Sequence, residues 1–249
     1  MNYYKLPAGV QDVLPEEYYN LSLLSRRLKE KFRLAGCRFV QSSALEYYDT
    51  FSCIQSTVEQ TKMFKMTDRD GKLIVLRPDM SLACARIAAT KLKESQAKLC
   101  YFTQIYDFSA GGNSDREVAQ AGVEIFGKRG AEADAETIAF AVECLKAAGL
   151  EKFIVDIGHV GFYKGLLEES GISSEGAEEI RGYINAKDAV NTEIALKKYG
   201  ASGRAREAIL ALPSLFGGAE VLSAAEKLTD NEHARESLIH LQRVYGYLK

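Results

Sequence analysis

One short segment of the sequence combines an amide, a glycine and a carboxylate at alternating positions. Residues 117–126 are rich in strand-forming types, and successive side chains of a strand point to opposite faces. Gln120, Gly122 and Glu124 therefore share one face. A carboxylate buried without a partner is costly, so a small cationic or amine-bearing ligand would suit this face. The intervening glycine would let such a ligand approach the backbone.

The same alternation has an ordinary structural explanation. A strand with one face in the core and the other in solvent shows this pattern without binding anything. Local sequence evidence does not separate a ligand-binding face from a solvent-facing one, so both interpretations stay open.

A second candidate is the turn Asp79-Met80-Ser81, which follows an apolar strand-like run and precedes an alanine-rich segment. Ser81 is suited to be the N-cap of a helix over residues 82–93, because its hydroxyl can accept a hydrogen bond from a backbone amide. The remaining amides at such a helix start could hold a carboxylate or a phosphate. Capping alone is the commoner role for a serine here, and both roles stay open.

Histidine and cysteine residues lack the spacing of a metal site. His159, His233 and His240 are too far apart in sequence for a zinc motif, and we expect them at the surface. The cysteines form no CxxC pair, so we expect small core residues with free thiols. They are Cys37, Cys53, Cys84, Cys100 and Cys144. No GxSxG, Walker A or GxGxxG pattern is present, and we expect neither a metal nor a cofactor.

Charge and hydropathy exclude several classes of function. The 32 basic and 34 acidic residues give a net charge of −2, which argues against a large nucleic-acid surface. No apolar run approaches the ~18 residues of a membrane span. The start of the chain lacks a basic segment followed by an apolar one, so no signal peptide is expected. These features favour a cytoplasmic protein without a membrane or nucleic-acid partner.

Helix and strand signals alternate in the first part of the chain and become exclusively helical later. Pro15 opens a first helix and Gly36 ends it. Asp70-Gly71 joins two strand-like runs as a hairpin. Further strands are predicted at residues 38–40, 98–106, 116–126 and 153–157, with a connector at 109–115 and a helix up to Ala148. The pattern predicts an α+β fold, an antiparallel sheet flanked by helices and followed by a helical block.

Three segments resemble the histidinyl-tRNA synthetase family of class II synthetases. They are Leu-Pro-Ala-Gly-Val-Gln-Asp-Val-Leu-Pro at residues 6–15, Val-Leu-Arg-Pro-Asp-Met-Ser at 75–81 and Arg-Glu-Val-Ala-Gln-Ala-Gly-Val-Glu at 116–124. The second is similar to the family's amino-acid-binding turn and the third to the second class II motif. The resemblance implies a synthetase-like core at residues 1–161, a helical insertion at 162–230 and a helix returning towards the core at 231–249.

Within this family, the details resemble the branch of ATP phosphoribosyltransferase regulatory subunits. Five pieces in the same order carry this closer resemblance, namely residues 45–51, 62–65, 68–71, 77–81 and 120–124. Each piece is weak alone, whereas five in order are specific. The resemblance implies a partner of the short catalytic subunit, which performs the first step of histidine biosynthesis. It also implies that this protein transmits feedback inhibition by histidine.

The resemblance assigns four residues to histidine binding, which are Asp79, Ser81, Gln120 and Glu124. Asp79 stands where the synthetases have glutamate, and its carboxylate can still bind an ammonium group from a shorter arm. The resemblance implies no catalytic residue of the chain's own. It implies histidine as effector and a homodimer within a hetero-oligomer that contains the catalytic subunit.

Departures from the synthetase pattern argue against tRNA charging. The second motif of a synthetase has an arginine for the ATP α-phosphate, where this chain has Asp107 or, with a shorter loop, Tyr106. Neither is cationic, and a missing preorganised cation costs ~3 kcal/mol or more in the transition state. Ser43 replaces the proline of the first motif. The third motif and the second histidine-binding segment would lie beyond Lys249, so the fold is expected without its C-terminal part.

Three functions from different classes remain after these observations. The first is the regulatory subunit. The second is an enzyme, either a histidine–tRNA ligase or a synthetase-like paralogue that activates another amino acid. The third is a scaffold that binds only its partner subunit. Asp107 and the missing third motif favour a regulatory protein over an enzyme.

Overall fold

The largest sheet contains the strand with the amide, glycine and carboxylate. The computed structural model describes residues 4–52, 59–108 and 115–249. Strands β5 (Ala97–Tyr106) and β6 (Glu117–Phe126) pair antiparallel along their whole length. The short β1 (Arg38–Phe39) lies parallel to β5 on its other side, giving the strand order β1-β5-β6. The predicted strands at 98–106 and 116–126 are confirmed, with bounds that differ by one residue.

A second, smaller sheet has the order β2-β4-β3 and is antiparallel throughout. It consists of β2 (Leu45–Tyr47), β3 (Lys65–Thr67) and β4 (Leu73–Leu76). The predicted hairpin is confirmed. Asp68 Oδ1 accepts from the amides of Asp70 and Lys72 at 2.9 and 2.8 Å, and Gly71 has a φ of +78° that other residues rarely adopt. Helix α2 (Asp49–Ser52) follows β2.

One face of the larger sheet is covered by the helix predicted from Pro15. Helix α1 (Pro15–Leu34) has proline in its first turn, and Gly36 follows its end with a φ of +71°. Its buried Leu28 and Phe32 pack with Cys100 of β5. Phe140 and Cys144 of α4 (Ala131–Ala148) pack against the same cluster.

The opposite face of the sheet contacts a short helix. Helix α3 (Ser81–Ile87) continues into a π-helical turn at Ala88–Leu92, so the alanine-rich helix is confirmed with a change of geometry within it. Met80 and Cys84 are fully buried and pack with Leu99 and Tyr101 of β5. The two sheet faces therefore have different partners, and the face against α3 holds the candidate site.

After residue 159 the described chain is helical, as predicted. The helices are α5 (Val160–Ser170), α6 (Ser174–Asn185), α7 (Ala189–Lys198), α8 (Gly203–Ala211), α9 (Glu220–Glu226) and α10 (Glu232–Leu248). Gly171, Gly200 and Gly217 stand at the predicted breaks with positive φ values. Leu166, Ile180, Leu196 and Ile209 form the centre of a separate core.

The chain divides into two compact units. The first contains Met1–Lys128 and Phe140–Lys152, and the second contains Arg129–Ala139 and Phe153–Lys249. The domain boundaries implied by the resemblance, 1–161, 162–230 and 231–249, stay a prediction.

One predicted strand is absent from the described structure. The predicted strand at residues 153–157 is wrong, because this segment pairs with no strand among the described residues, and Ile154 is 89% exposed. A strand needs a neighbour for its backbone hydrogen bonds. The expected surface position of the histidines agrees with the structure, since His233 is exposed and His159 and His240 are half-buried. The His159 and His240 rings lie 5.2 Å apart, and His240 pairs with Asp134 at 2.6 Å.

The thiol prediction is confirmed where the structure describes it. Cys37, Cys84 and Cys100 are buried, Cys144 is half-buried, and none of these four forms a disulfide among the described residues. Cys53 and residues 109–114 of the connector predicted at 109–115 lie outside the described residues. Among residues 4–52, 59–108 and 115–249, no helix has the length and hydropathy to cross a membrane.

Candidate functional site

The site face of the larger sheet is built from three cross-strand pairs. The register of β5 and β6 sets Leu99 opposite Glu124, Tyr101 opposite Gly122 and Thr103 opposite Gln120. Directly opposed residues of an antiparallel pair share a face. Gln120 and Glu124 are both half-buried there, so the alternation predicted for this strand is present in the structure.

A single hydrogen bond joins the two candidate segments. The Ser81 hydroxyl donates to Glu124 Oε1 at 2.6 Å, although 43 residues separate them in sequence. Ser81 begins α3, and Glu124 lies inside β6. The structure thus brings together the turn and the strand that were singled out for separate reasons.

Asp79 caps the helix that Ser81 was predicted to cap. Asp79 Oδ1 accepts from the amides of Ser81 at 2.7 Å and Leu82 at 3.4 Å. Of the two roles left open for Ser81, the N-cap is excluded, because Ser81 is the first helical residue and its hydroxyl donates to Glu124. An aspartate two residues before a helix start can accept hydrogen bonds from these amides. The two amides therefore already have a partner within the chain.

Gln120 has an unsatisfied acceptor. Its Oε1 atom is buried, and no described residue donates to it. A buried amide oxygen without a donor costs about 1–3 kcal/mol, so a ligand N–H at this position would be favourable. Gln120 shares the sheet face with Glu124 but makes no hydrogen bond to Asp79 or Ser81 among the described contacts.

Tyr101 was missed by the sequence analysis, and it changes the role of Gly122. The Tyr101 side chain is 4% exposed and lies across Gly122, where a Cβ atom would overlap the phenol. The space that was expected to admit a ligand is therefore filled by this ring. The signal for it was the strand register, because Tyr101 and Gly122 are direct partners across the sheet.

Burial, together with the nearby carboxylates, keeps the Tyr101 phenol and the Cys84 thiol protonated by raising the pKa of each. Burial, followed by the charges of Glu124 and Asp79, raises the pKa of Tyr101 well above its ordinary value. The same causes, in the same order, raise the pKa of the Cys84 thiol to about 12. At neutral pH the site therefore presents Tyr101 as a hydroxyl donor and Cys84 as a thiol, which is a poor nucleophile compared with a thiolate.

A buried arginine supports the end of the site. Arg77 is 4% exposed and donates to the Gln104 carbonyl at 2.8 Å, the Ser42 carbonyl at 2.9 Å and Thr103 Oγ1 at 2.5 Å. Thr103 lies opposite Gln120. Arg77 is thus engaged by three neutral oxygens and joins the end of the small sheet to β5.

Tyr106 and Asp107, the two candidates for the place of the synthetase arginine, lie at the end of β5. The Asp107 amide donates to the Arg116 carbonyl at 3.0 Å, and Tyr106 is the last residue of β5. The Arg116 guanidinium lies over the rings of Phe64 and Phe108 at 5.9 and 5.6 Å from their centroids.

The site is rich in acceptors and suits a ligand with several N–H donors. Asp79 and Glu124 supply negative charge, and Gln120 supplies a neutral oxygen. Two carboxylates lining one site favour a positively charged partner. Within the part of the chain that the structure describes, no group of three histidine, cysteine or acidic side chains could hold a metal ion.

Comparison with known proteins places the chain in a family. The histidyl-tRNA synthetase family matches residues 9–249. The chain is 39% identical over 245 residues to a protein of Acetivibrio thermocellus, covering 97% of this chain and 59% of that protein. It is 37% identical over 250 residues to one of Thermoanaerobacter sp., covering 98% and 64%. Both are named ATP phosphoribosyltransferase regulatory subunit. The chain thus spans about three fifths of these relatives' length.

A solved structure agrees with this match. A Bacillus halodurans protein described as an ATP phosphoribosyltransferase regulatory subunit/histidyl-tRNA synthetase superposes with a TM-score of 0.90 at 32% identity. The superposition covers 100% of this chain and 65% of that one. The predicted class II synthetase-like fold is therefore confirmed, and the chain belongs to the histidyl-tRNA synthetase family.

Proposed function

We propose that this chain is part of a non-catalytic regulatory subunit of ATP phosphoribosyltransferase and binds histidine through Asp79, Ser81, Gln120 and Glu124. The observation that carries the proposal is the hydrogen bond between Ser81 and Glu124, since it makes one site of two separate segments. The name shared by the relatives supports the regulatory role.

Histidine matches the chemistry of the site. Its α-ammonium group and imidazole carry several N–H donors, and the site offers two carboxylates and the unsatisfied Gln120 oxygen. Histidine changes charge near neutral pH, and a nearby carboxylate favours the imidazolium form. The proposed contact of Glu124 is therefore charge-assisted, which makes it about 1.5–3 kcal/mol strong.

A calorimetric titration tests the histidine site. We expect Glu124→Gln to bind histidine about tenfold or more weakly than the unmodified chain, since the substitution keeps the shape and removes the charge. Glu117→Gln is a matched control, because Glu117 lies on the same strand but its position alternates to the opposite face. Equal histidine affinity of the Glu124→Gln variant and the unmodified chain would rule out this site.

The partner is tested separately. We propose a homodimer that assembles with the short catalytic subunit of ATP phosphoribosyltransferase into a hetero-oligomer sensitive to histidine. Gel filtration of the two proteins mixed at micromolar concentrations should give one larger species. Separate elution of two folded proteins would contradict the proposed assembly without affecting the histidine site.

The alternative is a histidine–tRNA ligase, and the Bacillus halodurans description includes that name. Asp107 argues against it, because an aspartate beside the α-phosphate repels the nucleotide. Histidine-dependent exchange between ATP and pyrophosphate should therefore stay at background. Robust exchange would replace the regulatory proposal with the enzymatic one.

A further inference from the structure

Two hydroxyl groups converge on the same oxygen of Glu124. Ser81 Oγ donates to Glu124 Oε1 at 2.6 Å, and the Tyr101 hydroxyl lies 3.5 Å from that oxygen. The first distance is that of a strong charge-assisted hydrogen bond, and the second is at the limit of a weak one. Both donors therefore constrain one oxygen and leave the second oxygen of the carboxylate for another partner.

The strand pairing fixes where the Tyr101 hydroxyl lies. Tyr101 and Gly122 are direct cross-strand partners, and the ring extends over the glycine. A side chain at position 122 would overlap the phenol carbon and oxygen atoms, so the glycine is what allows the ring to occupy this place beside β6. The hydroxyl consequently ends beside Glu124, two residues along β6 from Gly122.

The Tyr101 hydroxyl keeps its proton in this environment. Burial and the neighbouring carboxylates raise its pKa, and a neutral phenol next to a carboxylate acts as a donor. Tyr101 is almost fully buried, so its own orientation is set by packing against Met80 and Cys84. A rigid donor of this kind restricts the rotamers of the half-buried Glu124.

We propose that Tyr101 is a positioning residue, whose ring over Gly122 and hydroxyl beside Glu124 hold that carboxylate in the orientation that binds histidine. The inference rests on the proposed histidine site and adds a residue to it. It explains why a buried tyrosine and a glycine face each other at the centre of the site. Tyr101 acts through Glu124 in this proposal.

A double-mutant cycle, measured as histidine affinity, distinguishes a positioning role of Tyr101 from a general structural role. Tyr101→Phe keeps the ring and removes the hydroxyl, and we expect three- to tenfold weaker histidine binding by calorimetry. In a Glu124→Gln background the same change should alter affinity by less than about twofold, because the group it positions is already absent. Tyr19→Phe, at an exposed tyrosine of α1, should leave affinity unchanged in both backgrounds.

A second double-mutant cycle measures stability and therefore needs no histidine. Thermal unfolding of the Tyr101→Phe, Glu124→Gln and doubly substituted chains should show non-additive losses, since the two groups interact directly. Additive losses in unfolding, or an equal affinity loss in both backgrounds, would overturn the positioning role. If Glu124→Gln binds histidine as the unmodified chain does, the proposed function fails. The unfolding cycle then decides alone whether Tyr101 positions the carboxylate.

Discussion

Ser81 Oγ lies 2.6 Å from Glu124 Oε1, so the first residue of helix α3 and a residue of strand β6 share one short hydrogen bond. Removing the hydroxyl leaves the half-buried carboxylate without its shortest donor. We expect Ser81→Ala to lower the free energy of unfolding by about 1–3 kcal/mol. Urea denaturation measures it. Ser202→Ala is the control, because Ser202 is exposed and its side chain makes no cap hydrogen bond, and equal losses in the two variants would contradict the prediction.

Glycines of α5 set its close approach to α10. A Cβ at Gly165 would lie 2.6 Å from the Ala234 amide nitrogen and from Asn231 Oδ1. Such contacts force the helices apart, so Gly165→Ala should destabilise the chain by about 1–3 kcal/mol. Gly182→Ala in α6 meets nothing within 4 Å, and its better helix propensity should stabilise by up to about 1 kcal/mol. Thermal unfolding of both variants tests these expectations. Unchanged stability of Gly165→Ala would show that α5 and α10 can move apart at little cost.

Acidification should weaken the start of α5. His159 Nδ1 accepts from the Gly161 amide at 3.0 Å, which requires an unprotonated nitrogen. Burial, then the charge of His240, lowers the pKa of His159 in the folded chain. The folded state therefore binds fewer protons, so this contribution is complete above about pH 6.5, the unfolded pKa, and is lost as pH falls through the lower folded pKa.

The measurement for His159 is chemical denaturation between pH 5 and 7.5, a range of about two and a half units around the ordinary histidine pKa. The variant His159→Asn keeps an N-cap acceptor without titrating, so its stability should depend less on pH. An identical pH dependence in both chains would mean that other groups control the acid response. Asp134 and His233 also face His159 electrostatically, with opposite effects on its pKa.

Even the conservative substitution Arg77→Lys should destabilise the chain. Its guanidinium reaches two oxygens of β5 and the Ser42 carbonyl, whereas a lysine has one nitrogen and cannot reproduce that fork. We expect Arg77→Lys to lose about 2–3 kcal/mol of stability. Arg181→Lys, in an exposed pair with Glu178, should change it by less than about 0.5 kcal/mol. Comparable losses at the two sites, measured by urea denaturation, would disprove a structural role for Arg77.

The sequence predicted the parts of the fold that depend on local signals. Alternation placed Gln120 and Glu124 on one face, and Asp70-Gly71 marked a hairpin, because strand period and turn chemistry act over a few residues. The place of Tyr101 in the site was not predicted, because its position over Gly122 depends on the pairing register of two strands, and local sequence signals do not give that register. The strand at 153–157 was wrong for the same reason, since β-forming residues do not reveal whether a partner strand is present.

Sequence also did not show which residue bonds the first backbone amides of α3. Ser81 and Asp79 both suit a helix start, and sequence alone ranks them by residue type. The structure differs because Glu124 competes for the Ser81 hydroxyl, which leaves Asp79 to bond the amides. That competition comes from a contact across 43 residues.

The buried tyrosine also gives the protein an optical property. The chain has no tryptophan and 13 tyrosines, so its near-ultraviolet absorption and emission are dominated by phenols. Tyr101 is almost completely shielded from water and lies beside two carboxylates, whereas Tyr4, Tyr18 and Tyr19 are exposed. Its band is therefore resolvable in a difference spectrum against the Tyr101→Phe chain. The chain thereby contains its own chromophore for events at this face of the sheet, with no added label.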